Sequence, residues 1–121
     1  MIVLDASALL AFLRAEPGAE RVEAELNGGV IGAANWSEVA QKIRALGGDW
    51  NVARTLLLSY DLRIEPVTVT DAELAAASWR KGSGLSLGDR LCLAVADRLG
   101  SAALTADRAW GGESERVVQI R

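Results

Sequence analysis

The hydrophobic pattern of this chain begins with an interruption. "MIVL" is an unbroken apolar run, Asp5 stops it, and the apolar-rich "ASALLAFL" follows at once. An apolar run without alternation reads as a strand buried on both faces, as in a parallel sheet. "SALLAFLRAE" reads as a helix that stops at Pro17-Gly18, and "PGAERVEAEL" as a second helix with Pro17 near its first position. Asn27-Gly28-Gly29 marks a turn and "VIGA" a short second strand. "NWSEVAQKIRAL" places Val39, Ile43 and Leu46 on one helical stripe, closed by Gly47-Gly48. "DWNVARTLLLSY" predicts a further helix, and Pro66 keeps "RIEPVTV" extended. "TDAELAAASWRKG" and "SLGDRLCLAVADRLG" predict two more helices around the loop Gly82-Ser83-Gly84, the second capped by Gly100. "SAALT" and "RVVQI" are the final strands, with "DRAWGG" between them.

Strands alternating with helices predict an α/β domain, a mostly parallel sheet between layers of helices. The first strand, apolar throughout, is expected at its centre. At 121 residues the chain is expected to form one domain over 1–121.

Composition narrows the chemistry. There is no histidine, which removes Ser-His-Asp and Cys-His catalysis together with histidine bases and metal ligands. Cys92 is the sole cysteine and reads as core filler. The remaining ligand set is hard oxygen, suited to Mg²⁺ or Mn²⁺ rather than zinc. No apolar run approaches the roughly 18 residues of a membrane span. Asp5 also breaks any leader-like apolar segment, so a cytoplasmic protein without membrane contact is expected. The net charge of −3 gives no general attraction for nucleic acid.

Four acidic residues stand where a parallel sheet gathers ligands, outside the carboxyl ends of its strands. Asp5 ends the first strand and Asp107 lies just beyond "SAALT". Glu38 and Asp89 fall in first helical turns, where "NWSE" and "SLGD" match capping boxes with Asn35 and Ser86 as N-caps. "TDAE", with Thr70 and Glu73, is a third match. A cap and a functional site therefore both account for Glu38 and Asp89. Helices that follow strands begin at the rim where Asp5 and Asp107 lie, which favours convergence. Glu73 follows an extended stretch and could share that rim. Asp5 and Asp107 could themselves cap the segments after them. Ser7 and Thr105 read as caps or turn hydroxyls, or as groups beside a carboxylate that orient a water. Arg108, adjacent to Asp107, is the cation best placed to contact a substrate. The tryptophans at 36, 50, 79 and 110 build no stacking platform and read as core or subunit contact.

"MIVLDASALLAFL", "VIGAANWSEVAQKI", "LSLGDRLCLAVADRLG" and "LTADRAW" occur in this order across nearly the whole chain. Together they resemble the PIN domain of VapC-type toxins, the ribonuclease half of type II toxin–antitoxin pairs. Residue by residue, Asp5 resembles the acid ending the family's first strand and Glu38 the acid of its third helix. Asp89 and Asp107 resemble the third and fourth acids, and Thr105 the hydroxyl before the last. The resemblance implies a three-layer α/β/α PIN-like fold with a central five-stranded sheet. It also implies an Mg²⁺- or Mn²⁺-dependent endoribonuclease, a homodimer and a cognate antitoxin that blocks the site.

On this reading Asp5, Asp89 and Asp107 hold the metal, and Glu38 orients or deprotonates the attacking water. The RNA products would carry 5′-phosphate and 3′-hydroxyl ends. Three other classes stay open. A receiver-like signalling domain would want an acidic pair after the first strand and a late lysine, yet no lysine follows Lys81. A haloacid-dehalogenase-type phosphatase would want D-x-D, and Ser7 stands at the second position. A catalytically silent PIN-like module would bind RNA or protein without cutting.

Overall fold

The computed structural model describes residues 1–112 and 114–121. Its elements run β1 (Val3–Leu4), α1 (Ala6–Leu13), α2 (Ala19–Leu26), β2 (Val30–Gly32), α3 (Ala33–Ala45), α4 (Trp50–Leu58), β3 (Arg63–Glu65), α5 (Val69–Ala77), α6 (Leu87–Arg98), β4 (Ala103–Thr105) and β5 (Val117–Gln119), with a 3₁₀ turn at Arg108–Trp110. All five strands are parallel, in the order β3-β2-β1-β4-β5, so the expected central place of β1 holds. Val3 pairs with Val30 on one side and Ala103 on the other.

Strand alternation divides the core between two faces. Leu4 packs with Leu9, Leu26, Val39 and Leu57, from the layer formed by α1 to α4. Val3 turns the other way, toward Cys92, Val95 and Trp110 beside α6. This is the three-layer α/β/α arrangement. The strand order reverses at β1, with β2 and β3 to one side and β4 and β5 to the other. Such a reversal opens a crevice at the carboxyl ends of the strands.

Three helix starts differ from the sequence pattern. Pro17 lies in the turn before α2, whose N-cap is Gly18 in the left-handed region at φ 93°. A Cβ at Gly18 would meet Ile120 O at 2.8 Å, so that turn needs glycine. α3 starts at Ala33 behind Gly32, a cap without a side chain, so Asn35 is not the N-cap and Glu38 belongs to no capping box. The box at α5 is formed by Thr68 and Asp71 rather than Thr70 and Glu73.

Arg98 explains the choice at α5. Its guanidinium grips the Asp71 carboxylate with both arms, Nε at 2.9 Å and NH2 at 3.0 Å, and reaches Glu65 with NH1 at 2.8 Å. The Asp71 side chain is 1% exposed and Arg98 27%, so this pair locks α5 onto the end of α6. The Arg98 hydrogen bonds hold the Asp71 carboxyl below the usual carboxylate range. A lowered carboxyl pKa contributes stability above the unfolded value and loses it as pH falls through the folded one. Asp71→Asn is therefore expected to cost about 2 kcal/mol at pH 7 in urea unfolding. The difference from the unsubstituted protein should narrow below about pH 4.

Candidate active site

Asp5 is 3% exposed at the end of the central strand, a costly place for a charge. Its backbone N–H donates to Leu104 O at 3.0 Å, which extends the β1–β4 ladder. Its Oδ1 accepts from the Ala8 N–H at 2.8 Å, which caps α1. Ser7 Oγ donates to the carboxylate at 2.8 Å, and Thr105 Oγ1 donates to Oδ2 at 2.6 Å. Both hydroxyls also accept backbone N–H groups, Ser7 from Ala106 at 2.9 Å and Thr105 from Asp107 at 3.0 Å. The two hydroxyls predicted to orient a water are thus engaged with Asp5 itself. Burial outweighs these hydrogen bonds and raises the Asp5 carboxyl from 3.8 to about 6, with Asp89 adding to the rise.

Glu38 reaches the same rim from the second turn of α3. Asn35 Nδ2 donates to Glu38 Oε1 at 2.8 Å and to Gly88 O at 3.1 Å, and so ties α3 to the first turn of α6. Gly88 permits this approach, since a Cβ there would lie 2.8 Å from Glu38 Cδ. Partial burial and the charge of Asp89 raise the Glu38 carboxyl. Asp89 closes the capping box expected from "SLGD", its Oδ2 accepting from the Ser86 N–H at 2.9 Å. Asp107 Oδ1 accepts from the Ala109 N–H at 2.9 Å and starts the 3₁₀ turn.

A cavity of ≈ 240 Å³ at this rim is lined by Asp5, Ser7, Glu38, Lys42, Asp89 and Asp107, among others. The four predicted acids thus share one cavity, while Glu73 and Arg108 do not line it. Capping does not exclude convergence, because Asp5, Asp89 and Asp107 each do both. Three further residues shape the site. Asn35 and Gly88 position Glu38. Gln119, 7% exposed, donates to Asp107 O at 3.0 Å and Gly111 O at 2.7 Å, and so pins the turn that carries Asp107. The "NWSE" pattern points to Asn35, though as a cap, while Gly88 and Gln119 have no local sequence signal. Cys92, buried beneath the rim, keeps its thiol protonated through burial and the nearby Asp5, Asp89 and Glu38.

The profile of the PIN domain matches residues 2–111, most of the chain. This chain belongs to the PIN-domain family. Sequence comparison with curated proteins finds no match, but solved structures align along most of the PIN fold. A toxin–antitoxin complex from Klebsiella pneumoniae superposes with a TM-score of 0.80 at 21% identity, over 100% of this chain and 98% of that one. VapC20 of Mycobacterium tuberculosis, described as a sarcin-ricin loop cleaving toxin, gives 0.72 at 19% identity over 95% and 98%. FitAcB of Neisseria gonorrhoeae gives 0.67 at 25% identity over 90% and 89%.

The donor chemistry of this PIN rim fits a hard divalent cation. Among the described residues, Glu38, Asp89 and Asp107 each commit one carboxylate oxygen to the fold and leave the other without a protein partner. As they stand, no three or more acidic side chains among the described residues are gathered tightly enough to hold an ion.

A carboxyl whose folded pKa lies above its unfolded value destabilises the fold once pH exceeds the unfolded value, and fully so above the folded one. For Asp5, raised from 3.8 to about 6, the cost at pH 7 is about 3 kcal/mol. Asp5→Asn is expected to raise the metal-free melting temperature at pH 7, with the gain shrinking as pH falls from about 6 to about 4. Gly88→Ala should stay folded and cost about 1–3 kcal/mol in urea unfolding, because Glu38 must give way to the added methyl.

Proposed function

We propose that this PIN domain is a divalent-metal-dependent endoribonuclease, the toxin of a toxin–antitoxin pair held in check by a cognate antitoxin. The cavity shared by Asp5, Glu38, Asp89 and Asp107 carries the reading. Similarity to the Klebsiella toxin–antitoxin complex and to the sarcin-ricin loop cleaving toxin VapC20 supports its toxin and RNA-cleaving parts. Exposed apolar residues, Val52 and Leu56 on α4 and Leu74 on α5, with Trp79 beyond it, support association with an antitoxin and a homodimer.

Asp5, Asp89 and Asp107 would hold Mg²⁺ or Mn²⁺, with Glu38 close by. When bound, the cation offsets the repulsion among these carboxylates, acidifies a water and balances charge on the scissile phosphate. Ser7 and Thr105 hold the Asp5 carboxylate in its ionised form and fix its direction. Asn35 holds Glu38 by one oxygen, so the other can take the proton of an attacking water. That water bonds to phosphorus as the 3′ oxygen departs with the bonding pair and takes a proton from solvent. The products carry a 5′-phosphate and a 3′-hydroxyl, and the ribose 2′-hydroxyl takes no part.

Purified protein is expected to cut a pool of structured RNA in Mg²⁺ or Mn²⁺ and not in EDTA. Asp5→Asn and Glu38→Gln should each lower the rate by at least about 100-fold. End-group analysis checks the chemistry, and 2′,3′-cyclic phosphate ends would overturn it. Metal-dependent melting without cleavage of any RNA would instead leave a silent binding module.

A further inference from the structure

One cation reaches the acidic cavity. Lys42 lines it beside the carboxylates, and no other lysine or arginine among the described residues does. Lys42 also lines a second cavity of ≈ 310 Å³ on α3, together with Glu38, Gln41 and Ala45. The two cavities share Glu38 and Lys42 and adjoin at these side chains.

We propose that Lys42 binds the RNA phosphate next to the scissile one and so sets the path of the strand along α3. The inference rests on the nuclease reading for what occupies the first cavity. Glu38 and Lys42 are four residues apart, on one helical face and separated by about 6 Å of rise. That separation is comparable to the step between successive phosphates of an extended strand. A scissile phosphate attacked by the water on Glu38 therefore brings a neighbouring phosphate over Lys42. Beyond it, the exposed Gln41 and Ala45 leave a shallow, uncharged track for the continuing strand.

Electrostatics require a local grip of this kind. The chain carries a net charge of −3 and four carboxylates face the cavity, so a polyanion is repelled except where a cation stands. None of the ion pairs among the described residues involves Lys42. Its ammonium is thus available as a compact charge for a phosphate oxygen. Arg108, the cation that local sequence favoured, is exposed outside the cavity.

The test is binding of a mixed-sequence single-stranded RNA of about 12 nucleotides, measured in Ca²⁺ across a salt series. Lys42→Met is expected to weaken binding about tenfold at low salt and to reduce the slope of log K against log salt by about 0.7. Lys42→Arg should stay within about twofold of the unsubstituted protein in both. Neither change should move the metal-free melting temperature. An unchanged slope in Lys42→Met overturns the proposal. So does a lowered metal-free melting temperature with tighter Mn²⁺ binding, which would make Lys42 a counter-charge to the carboxylates. Absence of RNA binding by the unsubstituted protein overturns both readings. Lys42-dependent binding without cleavage in Mg²⁺ or Mn²⁺ sinks the nuclease alone and leaves the phosphate contact standing.

Discussion

The rim of this protein depends on a carboxylate that burial opposes and hydrogen bonding supports. Asp5 sits at the end of the central strand with almost no exposure, where an ionised group is disfavoured. Yet its surroundings are donors: the Ala8 N–H and the hydroxyls of Ser7 and Thr105. An ionised Asp5 can only accept, so each hydroxyl then spends its one proton on it. The 3.2 Å contact between Ser7 and Thr105 is then left without a shared proton. These hydrogen bonds favour the ionised form and work against the burial that opposes it. The resulting compromise, a carboxyl raised to about 6, leaves it sensitive to any nearby positive charge.

The same network fixes what lies around it. Through Ser7 it holds the backbone after β4, and through Thr105 it holds the amide of Asp107. Asp89 arrives by a different route, as the third residue of a capped helix on the opposite layer. Glu38 is held by Asn35, whose second hydrogen bond to Gly88 ties the two helices together. Capping and convergence are one arrangement here. Helices that follow parallel strands present their first turns to the crevice, so side chains that satisfy helix ends also face it.

Much of this was legible in order along the chain. The unbroken "MIVL" run identified a central strand, and "SLGD" identified the capped start of α6, because both signals are local. The start of α3 was not legible, because Gly32 caps it with no side chain to see. The start of α5 was misplaced by two residues, since two overlapping boxes fit and distant Arg98 selects Asp71. The "NWSE" pattern marked Asn35 but gave it the wrong role, and Gly88, Gln119 and Lys42 carried no pattern at all. Gly88 meets α3 53 positions away, Gln119 acts on a turn that precedes its own strand, and Lys42 faces a cavity that exists only once the sheet has formed.

The hydrogen bond between Thr105 and Asp5 spans 100 positions of sequence. On a ribosome, Asp5 emerges first and waits while the intervening residues are added, several seconds at about 5–20 residues per second. During that interval β1 lacks its β4 neighbour and the acidic rim lacks Asp107. A nascent chain of this protein therefore has no assembled acidic rim. The order of synthesis itself delays the rim until the fold can close.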